Sequence, residues 1–560
     1  MQTIVDYHTA TKHRLSGYAP GPGELLWRSQ PAPFRHFSNT ESVVLPLQAD
    51  RLDTTAAALH GTVTVAAQPL SVASLSLLLE LSLGLAAWKQ WSGHGPDHRW
   101  SLRCHPSSGN LHPLEGYLLL PHAQPQLTAG VYHYFSRDHC LMRRCLWQQD
   151  ARLTSIPETV CLIGLSALPW RTAWKYGERS WRYVNLDAGH AMAAIRYAAT
   201  LLGWSVRLLD PLDDATIERL LGLHQPKDET WQERERPVAL LAIDSQGCDS
   251  RYTHSDWSEW LGQLVPGSWQ GQASPISRQQ AIKWPLLAEA ERLCRQPALQ
   301  PAPSPVPTPG AAVATASSQT APFSSAATLR GADIIRQRRS AQQYDGCSEL
   351  PQSSLWFMLQ QALPAGHQPP WDLLPWPPRL HPLLMLHRVE GMDPGLYLLV
   401  RDPSARQALQ QALSPRFSWH QPSGCPDSIP LYHLASGDVQ QAARQLSCQQ
   451  DIASDGVFTL GMLADSAVET LAAQPWVYRQ LHWEAGVLGQ LFYLTAEMVG
   501  LRGTGIGCFF DDLFHDWIGL SDPNWQTLYH FTVGRALTDE RLLTLAPYAH
   551  RSDRAVTTTI

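Results

Sequence analysis

Gly500-Leu501-Arg502-Gly503-Thr504-Gly505-Ile506-Gly507 runs directly into Cys508-Phe509-Phe510-Asp511-Asp512. Four glycines in eight residues let a backbone approach its neighbours closely, at an entropic cost; a turn that only ends a helix needs one. The run is neither a dinucleotide fingerprint nor a phosphate loop, because no strand-to-helix order is present and no Gly-Lys-Ser/Thr follows. Two further segments stand out: Pro106-Ser107-Ser108-Gly109-Asn110, and Arg338-Arg339-Ser340. The first occurs only in the N-terminal half of the chain, and the glycine run and the arginine pair only in the C-terminal half. If the halves are homologous and pack face to face, one complete pocket forms and its mirror image lacks its binding groups.

Spacing supports a duplication. Arg182, Gly189 and Gly203 have the same separations as Arg479, Gly486 and Gly500, with Asp187-Ala188-Gly189 matching Glu484-Ala485-Gly486. Gly130-Val131-Tyr132 and Gly395-Leu396-Tyr397 form another matched pair, the kind of weak repetition to seek before reading motifs. Between the matched glycines, Met192, Ile195, Ala199 and Leu202 and their counterparts Leu488, Leu491, Leu494 and Ala496 follow a helical period, so each half holds a core helix. Strand-like runs lie at Tyr117–Leu120, Val238–Ile243, Leu396–Val400 and Tyr529–Val533. Helices with interspersed strands, not in regular alternation, predict an α+β fold.

At 560 residues the chain is long enough for two or three domains, each able to bury its own core. Residues 296–329 carry no charged side chain and include Pro297, Pro301, Pro303, Pro305, Pro307, Pro309 and Pro322. They read as a solvated linker spanning about 30 Å when flexible. The expected organisation is a lead-in over 1–60, one domain over 61–295, the linker, and a second domain over 330–560.

With 44% hydrophobic and 16% charged residues and a net charge of −6, the composition is globular, without the basic footprint of nucleic-acid binding. Ten cysteines without a Cys-x-x-Cys pair suggest neither a metal site nor a disulfide framework. The first residues lack a basic stretch followed by an apolar run and do not read as a signal peptide. The most apolar segment, Leu70–Ala87, is interrupted by serines and Glu80 and reads as a buried helix, not a membrane span. The expected compartment is the cytoplasm.

The individual motifs point to binding chemistry. Serine hydroxyls, a glycine amide and an asparagine amide suit the edge of a polar ring system or a phosphate, though Pro-Ser-Ser-Gly is also an ordinary turn. Arg103, just upstream, adds a guanidinium fork. The Arg338-Arg339-Ser340 cluster could converge on one anion or form a solvated face.

Taken together, these segments resemble a known family. Tyr7-His8, Thr11-Lys12-His13, Gly21-Pro22, Leu26-Trp27 and Gln30-Pro31-Ala32-Pro33-Phe34-Arg35 are similar to the lead-in of SagB-type members of the nitroreductase superfamily. So are Arg103 to Tyr117, Trp174 to Arg179, Asp187-Ala188-Gly189-His190, Gly503 to Asp512 and Tyr529 to Gly534. The resemblance implies two nitroreductase-like domains, helices around a mostly antiparallel sheet, packed as an intramolecular pseudo-dimer that acts as a monomer. It implies FMN at the interface, faced by Pro106, Ser107, Ser108 and Asn110 from the first half and held by Arg338, Ser340, Gly505, Ile506 and Gly507 from the second. Gln342 stands where many relatives place a basic residue near the flavin ring.

Lys175-Tyr176 resembles the Lys-Tyr pair of azoline dehydrogenases in this branch; the second half has Val477-Tyr478 at that place. Oxidising an azoline removes a carbon-bound proton and a hydride, so a base beside the flavin is needed. A desolvated lysine can serve, with a tyrosine hydroxyl to relay charge. A structural turn with an exposed lysine is the alternative. The implied activity is two-electron oxidation of a small-molecule or modified-peptide heterocycle, with oxygen as one acceptor. Two rivals remain at this point: an NAD(P)H-dependent reductase of nitro compounds or quinones, and a flavin-free scaffold in a biosynthetic complex.

Overall fold

The structure, a computed structural model, describes residues 2–95, 98–148, 155–210, 212–224, 230–231, 233–246, 254–277, 282–298, 328–364 and 368–551. Residues 299–327 of the expected linker lie outside the described residues. Its first residue is not solvated: Gln296 is buried and its backbone N–H donates to Asp214 at 3.1 Å.

The fold is α+β and pseudo-symmetric. In the first half an antiparallel seven-stranded sheet runs in the order Ser42–Val44, Cys140–Leu146, Gly130–Phe135, Leu114–Leu120, Val160–Ala167, Arg236–Asp244, Ser205–Leu208. In the second, six antiparallel strands run Leu431–Ser436, Gly395–Leu399, Leu380–Leu386, Phe458–Asp465, Trp525–Gly534, Arg502–Ile506. Strand for strand the second order repeats the first without its outermost member. The matched Gly130 and Gly395 each begin a strand.

The two matched helices, Ser180–Thr200 and Val477–Met498, are buried along their whole length and pack on each other. Such a helix needs partners all round. They cross at the matched glycines: a Cβ on Gly189 would collide with the Trp483 carbonyl and lie 2.9 Å from the Gly486 Cα, and one on Gly486 would collide with the Leu186 carbonyl. Only glycine at both positions allows this approach. The polar residues of these helices pair mostly across the halves. Arg182 donates to Asp511 at 2.7 Å and Arg479 to Asp214 at 2.7 Å, so the matched arginines make mirror-related ion pairs. Trp483 Nε1 donates to Asn185 at 3.1 Å.

The expectation that each half buries its own core is corrected here. A single hydrophobic cluster takes in Leu186, Ile195, Leu488 and Phe492 from both halves, and each sheet keeps a smaller cluster of its own. The reason is the pair of fully buried helices, whose apolar surface each half can cover only with the other. Segments also cross over. Ser42–Val44, within the expected lead-in, is an edge strand of the first sheet, while the helix Ile4–Ala10 ends on the second half, with His13 N–H donating to Asp511 at 2.9 Å. In return Leu542–Leu545 pairs with Leu85–Trp91, itself paired with Arg99–Arg103, in a three-stranded sheet that has no counterpart among the described residues. Of the predicted Leu70–Ala87 helix, Val72–Ser82 is helical and Leu85 already begins that sheet.

Candidate active site

A cavity of about 440 Å³ opens between the halves, within the usual size range of small-molecule sites. Arg103, Pro106, Ser107, Ser108 and Asn110 line it from the first half, and Arg338, Ser340, Gln342, Gly505, Ile506 and Gly507 from the second. Tyr176 lines it too. Lys175 does not: it ends the helix Pro169–Tyr176, half-buried, with Nζ 5.3 Å from the centroid of the Tyr176 ring. Burial lowers its pKa.

The Pro-Ser-Ser loop is held from within. Ser107 Oγ and Ser108 Oγ donate to the Asp187 carboxylate at 2.7 and 2.8 Å, and Ser108 N–H donates at 2.9 Å. The serine donors are thus turned to a buried carboxylate on the long helix. Asp187 has three donors but no cation, and burial pushes its pKa up to about 7. His190, one turn on, faces the Tyr529 hydroxyl at 3.2 Å and is kept neutral by burial.

From the second half, the fork of Arg338 donates to the backbone carbonyls of Arg103 at 2.9 Å and Cys104 at 3.0 Å, and its guanidinium lies 5.1 Å from the Tyr493 ring centroid. It therefore ties the second half to the edge of the Pro-Ser-Ser loop. Among the described residues Lys89, Arg338 and Arg339 form no ion pair, and all three line the cavity with Arg502. Burial first, then mutual repulsion, lowers the pKa of Lys89 and brings that of Arg339 to about 10. Such a cluster of like charge is suited to an anion.

The glycine run holds a strand, Arg502–Ile506, at the edge of the second sheet. Its glycines make room for tyrosines: a Cβ on Gly505 would overlap the Tyr529 hydroxyl, and one on Gly507 the Tyr183 ring. The Tyr493 hydroxyl bridges the segments, accepting from Gly505 N–H at 2.9 Å and meeting Ser340 Oγ at 2.7 Å.

Sequence reading missed Lys89, Trp100, Tyr183, Tyr493, Arg502 and the Ala536–Asp539 wall. Tyr493 could have been found, since it sits on the matched helix at helical spacing from Gly486 and Gly489. Lys89 and the late wall come together only through pairing of Leu542–Leu545 with Leu85–Trp91, which leaves no local signal.

At the mirror position of Asp187, Glu484 accepts from the backbone N–H groups of Arg379 and Leu380 and from the Arg401 guanidinium, an ion pair whose partners are 1% and 0% exposed. This carboxylate is neutralised by an arginine, and no Pro-Ser-Ser loop faces it.

A candidate nitroreductase from Anabaena variabilis, solved by crystallography, superposes with a TM-score of 0.66 over 96% of this chain and 100% of its own, at 21% identity. The fold is nitroreductase-like. The match spans both halves, so the two-half architecture has a solved counterpart. In sequence, a candidate nitroreductase from Methanocaldococcus jannaschii is 25% identical over 145 residues, covering 25% of this chain and 68% of the relative. No family model matches the chain. Among the described residues no helix of this nitroreductase-like fold is long and apolar enough to cross a membrane, and no group of His, Cys, Asp and Glu is arranged to hold a metal ion.

Proposed function

We propose that this chain is a flavin-dependent oxidoreductase that binds one FMN between its halves and acts, as a monomeric pseudo-dimer, on a small or peptide-borne heterocycle. The observation that carries the reading is the cavity itself, where the Pro-Ser-Ser loop of one half meets the arginine pair and the glycine strand of the other. The residues fit the group. Lys89 and Arg339, beside Arg502 in its ion pair with Glu497 at 3.0 Å, form a positive end for a phosphate, and Trp100, Leu102 and Tyr529 give apolar surface for a ring system. Arg103 Nε, in a residue lining the cavity, is buried without a protein partner and suits a ligand acceptor, while His105 Nε2, left as an acceptor because Nδ1 donates to the Pro106 carbonyl at 3.1 Å, is likewise unpartnered and suits a ligand donor.

When bound, FMN supplies a two-electron acceptor or donor. The protein's part is to hold it, exclude water and move a proton. Tyr176 is one proton-handling group that faces the cavity: its hydroxyl lies 2.6 Å from where a Cβ on Gly109 would stand, against the loop, and its ring meets Tyr183 edge-on at 4.7 Å. Burial raises its pKa, so the phenol stays protonated and donates a hydrogen bond to charge developing on a substrate. Lys175, behind the ring, positions Tyr176 and does not itself touch the substrate. The Lys-Tyr resemblance favours dehydrogenation of an azoline, in which Asp187, lining the cavity with its pKa near 7, takes the carbon-bound proton. A second reading, reduction of a nitro compound by NAD(P)H, draws support from the name of the M. jannaschii relative.

The test is stoichiometry followed by substrate-driven spectroscopy. The purified 560-residue chain should release one FMN on denaturation; a colourless protein that takes up no FMN, or two FMN per chain, would overturn the reading. Anaerobic bleaching of the flavin by an azoline peptide, but not by NAD(P)H, supports the dehydrogenase; the reverse supports the reductase.

A further inference from the structure

Cys508 follows the glycine strand directly and lines the cavity. Cys448 comes from a different segment, the turn after the helix Gln440–Leu446, and the two thiols lie within hydrogen-bonding reach of each other. The turn that presents Cys448 is unusual: Cys448 and Gln449 are consecutive non-glycine residues in left-handed backbone, at φ 55° and 62°. Such conformations cost energy and persist where surrounding structure fixes them. Here Phe510 N–H donates to the Leu446 carbonyl at 2.9 Å, Gln450 Nε2 to the Cys508 carbonyl at 3.1 Å, and Ser447 Oγ meets His530 Nδ1 at 3.1 Å. The turn is thereby docked onto the cysteine that follows the strand.

The surroundings favour a thiolate on Cys508. His13 Nδ1 accepts from Ala19 N–H at 2.9 Å, which leaves the Nε2–H tautomer to donate toward the Cys508 thiol. Arg179 sits beside it, donating to the Gly507 carbonyl at 3.3 Å and lying 5.0 Å from the Phe509 ring centroid. The Cys448 thiol is the largest influence, and with His13 and Arg179 it outweighs burial, so the Cys508 pKa falls below the ordinary thiol value while that of Cys448 rises. Cys104, Cys140, Cys145, Cys161 and Cys294 are the contrast: all are buried, and burial pushes their thiols up to between about 11 and 12. Cys448 and Cys508 are both partly accessible.

We propose that Cys508 and Cys448 form a thiol–disulfide exchange site on the cavity wall, with Cys508 as the nucleophile and Cys448 as the resolving thiol, and that its substrate is a small molecule or peptide bearing a disulfide. Cys508 thiolate attacks one sulfur of R–S–S–R; that bond breaks, R–S⁻ leaves and takes a proton, and a Cys508–S–S–R mixed disulfide forms. Cys448 loses its proton, attacks the Cys508 sulfur and expels the second R–S⁻. One disulfide is reduced to two R–SH, and the two cysteines are oxidised to one disulfide. This chemistry needs no flavin and stands apart from the flavin reading.

The experiment uses the full chain stripped of any FMN. With limiting iodoacetamide at pH 6 and peptide mass spectrometry, Cys508 should be alkylated about tenfold or more faster than the exposed Cys347, because its larger thiolate fraction outweighs the lower nucleophilicity of a more acidic thiol. Oxidised glutathione should give a Cys448–Cys508 disulfide in the wild type and a stable glutathione adduct on Cys508 in Cys448→Ser. Equal alkylation of Cys508 and Cys347, or a wild type that accumulates the glutathione adduct without closing the disulfide, would overturn the proposal. The alkylation comparison needs no variant, so a misfolded Cys448→Ser protein does not shield the idea. Flavin content, measured separately, reports on the flavin reading alone.

Discussion

Asp187 and Glu484 occupy the same place in the two halves, on matched buried helices, and meet opposite fates. Asp187 is held by hydroxyl and amide donors from a loop that lines a cavity; Glu484 is neutralised by Arg401 in a closed interior. The first arrangement leaves a carboxyl with its pKa near 7 beside the site, and the second makes a structural ion pair. The difference teaches that one repeated frame can open onto a cavity in one half and become a brace in the other. At the axis, by contrast, the halves remain equivalent.

That equivalence is the first thing to break. Gly189→Leu and Gly486→Leu should each cost more than about 4 kcal/mol, since either side chain must push the helices apart; urea denaturation reads both. A loss under 1 kcal/mol for either would mean the helices do not cross there. Arg401→Met leaves the Glu484 charge buried and unpaired and should cost about 3–5 kcal/mol, read in the same assay.

Asp187 behaves differently. Its folded pKa of about 7 lies above the unfolded value of 3.8, so folding favours the protonated acid. The stability it confers is complete below pH 4 and is lost as the pH rises toward 7. At about 1.4 kcal/mol per pH unit over that window, the FMN-free wild type should lose on the order of 4 kcal/mol relative to Asp187→Asn. Parallel pH–stability curves for the two proteins would show that Asp187 is ionised throughout.

At the site, Tyr176→Phe should leave flavin content intact and slow substrate-driven flavin reduction about a hundredfold or more. Arg339→Ala should weaken FMN binding about ten- to a hundredfold, the loss of about 1.5–3 kcal/mol of charge-assisted contact; Arg406→Ala, a remote control in the second half, should not. Lys175→Met should have the smallest effect, below about tenfold in rate with FMN affinity unchanged. A Lys175→Met defect as large as that of Tyr176→Phe would place the lysine in contact with the substrate after all.

Much of this was legible in the sequence. Helical period found the paired helices, equal spacing of Arg182, Gly189 and Gly203 with Arg479, Gly486 and Gly500 matched them, and the strands at Tyr117, Val238, Leu396 and Tyr529 lie where short strand-like runs placed them. The motifs singled out in separate halves line one cavity. What was not legible arises from tertiary pairing. Glycines disfavour a strand, yet Arg502–Ile506 is one because Trp525–Gly534 supplies its ladder. Lys175 and Tyr176 are neighbours in sequence, but successive helical residues point about 100° apart, so only one could face the cavity. The serines looked like ligands for a cofactor, and their hydroxyls are turned to Asp187, a partner 80 residues away for Ser107.

The small sheet beside the cavity has a consequence for how the protein is made. Leu85–Trp91 and Arg99–Arg103 are synthesised well before Leu542–Leu545, the strand that covers them, and Leu85 N–H donates to the Tyr548 hydroxyl 463 residues later. Until then that hairpin has an open edge, and the ribosome must deliver 463 residues beyond Leu85 before Tyr548 can close it. Contacts of such long range are slow to form, and exposed edges recruit other strands. The nascent first half is therefore the species a chaperone would need to hold, and its wait is set by the speed of translation, not by the stability of the finished fold.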